Sequence, residues 1–152
     1  MFERIVLAVD GADEAGGAIA ATVDLARKSG GRVLVVHVGG SGDGERHGRT
    51  PDDDSRLVAS VVDAVRGQGV SAESELRGSR ASEVAREILL AAGRFEADAI
   101  VLGSRRLGAV AGLLLGSVAY KVIQLADCPV MVVKPVAVTA GEGGTPPAAL
   151  QP

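Results

Sequence analysis

Aromatic side chains are almost missing: Phe2, Phe95 and Tyr120 are the whole complement, and there is no tryptophan. That scarcity argues against the stacked aromatic platforms that hold single-stranded nucleic acids. It also leaves the core to Val, Leu, Ile and Ala, a palette suited to a buried parallel sheet covered by helices. Cysteine is nearly missing too. Cys128 stands alone, so no disulfide can form within the chain, which points to a reducing compartment. No basic stripe exists; the formal charge is −3 and the charges are spread thinly, so nothing draws a phosphate polymer. Long apolar runs are lacking as well. The most apolar stretch, Ala109–Leu115, falls far short of the roughly 20 residues a bilayer requires. The opening "MFERIVLAVD" has no basic lead before a sustained apolar segment, so no signal peptide is expected. These absences predict a cytoplasmic protein with neither nucleic acid nor membrane as partner.

What is present is a regular alternation of short apolar runs and helical patterns within 152 residues, a length that fits one domain. "RIVLAVD" (Arg4–Asp10) reads as a buried strand. A helix capped by Asp13 follows through about Ser29, with Ile19, Val23 and Ala26 inward, and Gly30 and Gly31 stop it. "RVLVVHV" (Arg32–Val38) is a second strand, and the polar, glycine-rich "GGSGDGERHGRT" after it reads as a mobile loop. Thr50, Pro51 and Asp53 then spell a capping box with proline at the first helical position, and Asp52 to Asp54 oppose the helix dipole. Leu57, Val58, Val61, Val62 and Val65 form the inner face of that helix, which Gly67 or Gly69 ends. "VSAESELR" (Val70–Arg77) alternates Glu73 and Glu75 against Val70, Ala72 and Leu76, the pattern of an edge strand. A third helix presents Val84, Ile88, Ala92 and Phe95. "ADAIVLG" (Ala97–Gly103) is strand four, about Val118–Ala126 helix four, and "PVMVVK" (Pro129–Lys134) strand five. The sum is an α/β domain: a doubly wound, five-stranded parallel sheet of order 3-2-1-4-5 with helices on both faces. Residues 1–135 make the domain, and residues 136–152, small and periodless, are expected to be a disordered tail.

Such sheets bind ligands beyond the carboxyl ends of their strands, where the winding reverses. Asp10, Val38 and Gly103 stand at those ends. "GSRRLGAVAGLLLGSVAYKV" (Gly103–Val122) leads from one of them into helix four. Backbone N–H groups around Gly103–Ser104 and Gly116–Ser117, with the positive end of the helix, suit an anion, and the Ser117 hydroxyl can cap the helix or meet a phosphate. The same Gly-Ser pair also serves as an ordinary helix start, and the local pattern leaves both open. The chain has no Walker A sequence, and "VDGADEAGG" lacks the glycine spacing of a dinucleotide fingerprint. His37, inside an apolar strand, reads as a hydrogen-bonded structural residue. One histidine, His47, among scattered carboxylates gives no metal-ligand spacing. Cys128, ahead of a proline and a strand and with no base near it in sequence, reads as packing.

Taken together, "RIVLAVDGADEA", "RVLVVHV", "ADAIVLGS" and "LLLGSVAYKVIQLADCPVMVVK" make the chain resemble the universal stress protein family from Glu3 to Lys134. ATP-binding members of that family carry a glycine, two residues, a glycine, nine residues, then glycine and serine or threonine. Gly103 fills the first position, and Gly116–Ser117 close the signature after Leu107–Leu115. Arg106 stands where the second glycine belongs, with Gly108 two residues on, and Ala12 replaces a serine common after the first strand. A left-handed backbone at Arg106 would cost about 1–2 kcal/mol, whereas in an ordinary conformation its guanidinium can meet a phosphate, as Arg105 can. The resemblance implies a site for ATP, with or without magnesium. Ala8, Val9 and Leu102 would line it, Asp10 would lie near adenine and ribose, and the Val38 backbone would read the adenine edge. Gly103, Ser104, Arg105, Arg106, Gly108, Gly116, Ser117 and Val118 would surround the phosphates. It further implies a homodimer joined through Pro129–Lys134, with a protein partner left unidentified. The sequence offers no clear general base and no second-substrate motif, so hydrolysis is expected to be at most weak.

Overall fold

The computed structural model describes residues 1–10, 16–40, 49–103 and 116–134. Strand β1 (Arg4–Val9) leads to helix α1 (Gly16–Ser29), then β2 (Arg32–Gly40), α2 (Pro51–Gly67), β3 (Ser71–Ser79), α3 (Val84–Phe95), β4 (Ala99–Gly103), α4 (Ser117–Leu125) and β5 (Val130–Val133). A short 3-10 turn, Ala81–Glu83, precedes α3. All five strands are parallel in the order β3-β2-β1-β4-β5, as the alternation of elements predicts.

Because successive strand residues face opposite sides, the central strands feed two cores. Ile5, Leu7, Val9, Val33, Val35 and Val101 pack with α1 and α2 on one side. Val6, Ala8, Leu34, Val36, Ile100 and Leu102 pack with α3 and α4 on the other. Right-handed crossovers account for the division. Chain order runs outward from β1 to β3, then jumps back across β1 to β4, and that reversal moves the last two helices to the opposite face.

Local signals hold where they are strong. Thr50 caps α2, accepting from the Asp53 amide at 3.2 Å, while the Asp53 carboxylate accepts from the Thr50 amide at 2.9 Å. The Thr50 amide, and after it the Thr50 hydroxyl, which donates to the same carboxylate at 2.8 Å, hold the Asp53 carboxyl below the usual carboxylate range. All five predicted α2 core residues are buried.

Two local readings need correction. Leu76, placed on the buried face of the edge strand, is 46% exposed, and burial of that face is confined to Val70 and Ala72. Glu75 on the opposite face is half-buried, because it pairs with Arg77 and with Arg94 of α3, while Arg77 also reaches Glu87. The second strand also runs on through Gly39 and Gly40, which pair with Gly78 and Ser79 and are not loop. The helix cap expected at Asp13, the rest of the glycine-rich loop after Gly40 up to residue 48, and the tail lie outside the described residues.

Candidate functional site

Strands β1, β2 and β4 end side by side on the α3–α4 face, and a cavity of about 330 Å³ opens there. Its floor is strand: Ala8, Val36, Val38 and Leu102, all of the parity that faces α3 and α4. One wall is Ala81, Val84 and Ile88, from the turn into α3 and its first turns. The opposite wall is Gly116, Ser117, Val118 and Ala119, the start of α4, and Val9, Asp10 and Gly103 complete the mouth. The base is apolar, and the polar groups gather at the strand ends and the helix terminus, a distribution typical of small-ligand sites of this volume.

Nine residues picked from sequence surround this one cavity: Ala8, Val9, Asp10, Val38, Leu102, Gly103, Gly116, Ser117 and Val118. Ser104, Arg105, Arg106 and Gly108 lie outside the described residues. Val36, Ala81, Val84, Ile88 and Ala119 were missed. Their signal was available. Val36 shares its face with Val38, and the i, i+4 pair Val84–Ile88 is the inner stripe of a helix that the crossover rule puts on this side.

The start of α4 differs from expectation in one respect. Gly116, not Ser117, occupies the N-cap, with no side chain closing the helix, and Ser117 is the first helical residue. Among the described residues, the amides of the first turn therefore have no capping side chain to satisfy them. Gly116 has φ −58°, open to any residue, and a Cβ there would meet nothing within 4 Å. Neither backbone nor packing among the described residues explains a glycine at this place. Among the described residues, no side chain covers the start of the helix at the cavity wall.

The ladder says where main-chain groups point. Arg32 N–H donates to the Glu3 carbonyl at 2.9 Å, so even-numbered β2 residues direct their peptide groups toward β1. Val38 belongs to that set, and β1 ends at Val9, opposite His37. The Val38 carbonyl is thus directed past the end of β1, beside the cavity. Asp10 is exposed at the same edge.

Other candidates behave as structural residues. His37 is buried, and its Nδ1 lies 2.7 Å from the Val9 carbonyl. Cys128 is half-buried against the α3–α4 core, and burial, aided by Asp98 and Asp127, pushes its thiol up, away from nucleophilic use. Among the described residues, no group of three His, Cys, Asp or Glu side chains comes together to hold a metal, and no helix is long and apolar enough to cross a membrane.

The family model for universal stress proteins matches residues 1–134. The chain belongs to the universal stress protein family. A universal stress protein of Thermus aquaticus is 37% identical over 142 residues, covering 88% of this chain and all of that protein. A solved universal stress protein from Archaeoglobus fulgidus superposes with a TM-score of 0.73 at 31% identity, over 88% of this chain and 100% of its own. A universal stress protein structure from the same organism in complex with dAMP gives a TM-score of 0.67 at 30% identity, covering 86% and 96%.

Proposed function

We propose that this universal stress protein binds ATP at the cavity as a regulatory ligand, and acts as a dimeric cytoplasmic switch or docking module in the stress response. The observation that carries the reading is the start of α4 at the cavity wall, uncapped by any side chain among the described residues, with Gly116 unexplained by backbone or packing among them. A helix N-terminus attracts anions through its free amides and its dipole. The apolar floor suits a purine, and the relative in complex with dAMP is consistent with an adenine nucleotide. In this reading Gly103 and Ser104, with Arg105, Arg106 and Gly108, complete the phosphate cradle, and magnesium accompanies the nucleotide. No catalytic group is assigned, and hydrolysis is at most a slow side reaction. Residues 1–135 act as the nucleotide-binding unit and the tail from residue 136 as an appendage to it.

Calorimetry with ATP tests the reading, together with mass analysis of nucleotide released from freshly purified, denatured protein. Saturable binding or copurified adenine nucleotide supports it; no heat at millimolar ATP and an empty protein end it. Replacing both Gly116 and Ser117 by valine fills the helix mouth without backbone strain at residue 116, and ATP binding should disappear while the fold persists.

A second reading, a docking protein of the same fold that needs no nucleotide, is favoured by a different observation. Tyr120, Ile123 and Leu125 leave apolar side chains on α4 facing outward, each at least 45% exposed. An empty protein that still dimerises would favour it.

A further inference from the structure

Behind the cavity, on the opposite face of the sheet, lies a buried polar chain that the nucleotide reading does not use. His37 follows Val33 and Val35 in parity, so its ring lies on the α1–α2 side, away from Val36 and Val38. A carbonyl oxygen can only accept, so the 2.7 Å contact with Val9 O places a proton on Nδ1. The other ring nitrogen lies 2.9 Å from Asp54 Oδ1, too oblique for a hydrogen bond. Arg49 Nε donates to that same oxygen at 3.1 Å. Asp54 sits in the first turn of α2, where its sequence suggests only a charge facing the helix dipole, yet it is 8% exposed and turned inward. Its Oδ2 reaches to 2.6 Å from where a Cβ of residue 39 would stand, so Gly39 makes the room it occupies.

The groups link three places: the residue that enters α2, the carboxyl end of β2, and the last carbonyl of β1. That carbonyl is also where the ladder directs the Val38 amide. Val9 and Val38 both line the cavity; His37, Asp54 and Arg49 do not. Apolar side chains would fill this space without the cost of burying a carboxylate and an imidazole. We infer that Arg49, Asp54 and His37 form a positioning relay that fixes the Val9 carbonyl and the Val38 backbone in the cavity rim, so that nucleotide affinity depends on side chains the ligand never touches. The inference rests on the nucleotide reading above for its consequence, but not for its geometry.

The test uses the full chain and ATP as probe. Nitrogen-15 spectra of histidine-labelled protein should show His37 protonated at Nδ1; a proton on Nε2 alone overturns the relay. His37→Leu removes the donor, whereas His37→Asn returns an N–H near the Nδ1 position. ATP affinity should fall about tenfold in His37→Leu, the weight of one lost hydrogen bond, and largely recover in His37→Asn. Asp54→Asn should also weaken binding. A His37→Leu protein that binds as tightly as the parent overturns the inference, as does an asparagine variant no better than the leucine one. If His37→Leu does not fold, the proton position in the parent and the Asp54→Asn affinity decide. If the parent itself does not bind ATP, the nucleotide reading falls alone. The relay is then judged by amide exchange at Val38, which must quicken in His37→Leu and not in His37→Asn.

Discussion

Thr22 lies in the middle of α1, fully buried, with a hydroxyl that finds no partner among the described residues. An enclosed hydroxyl without a hydrogen bond costs free energy that a methyl group of the same shape does not. Thr22→Val should therefore raise stability by about 1 kcal/mol, seen as a higher urea midpoint with an unchanged slope. Cys128 gives a prediction of the other kind. Its raised thiol holds less thiolate at pH 8 than a free cysteine, so iodoacetamide should modify it slowly, with a rate profile displaced to higher pH. At this scale the sequence is a partial guide. The cavity residues at strand ends could be named because chain position alone puts them there. Thr22 and Asp54 could not, because nothing in one sequence says which polar side chain turns inward.

Elements were more legible than residues where the chemistry is local. The capping box of α2 is spelled within four consecutive letters, Thr50 to Asp53, and the helix starts where they say. Its carboxylate has a consequence for pH. The Asp53 carboxyl is lowered in the folded state, so its contribution is present above the ordinary carboxylate range and is lost as pH falls through the lowered value. Asp53→Asn should lower the thermal midpoint at pH 7 by a margin that narrows as the solution is acidified, so the two pH profiles converge in acid. Helix α4 was less legible, since Gly-Ser before a helix does not say which of the two is the cap. Strand β5 allows a clean test of pairing. Ile100 N–H donates to the Pro129 carbonyl, so the peptide groups of Met131 face β4 and those of Val130 and Val132 face the open edge. Val132→Pro therefore removes only an outward donor. If dimers form along this edge, sedimentation of the variant should show monomers, and dimers of unaltered strength would place the contact elsewhere.

For the whole molecule, strand order followed from alternation and handedness, and the same rules would have placed α3 over the cavity had they been pressed one step further. What no rule supplies is the distance between side chains that meet only after folding. The Arg49–Asp54–His37 chain joins three elements through such distances, and neither spacing nor periodicity announces it. The cavity itself draws its lining from β1 near one end of the chain and α4 near the other. A molecule lodged there would act as a rivet between segments that the backbone joins only by a long detour. Occupancy would then register in the stability of the entire domain, by about 2.7 kcal/mol when ligand stands at a hundred times its dissociation constant. Melting curves taken across an ATP series would reveal it as a steady climb in midpoint, and the fold would carry, in its own resistance to heat, a gauge of the surrounding nucleotide.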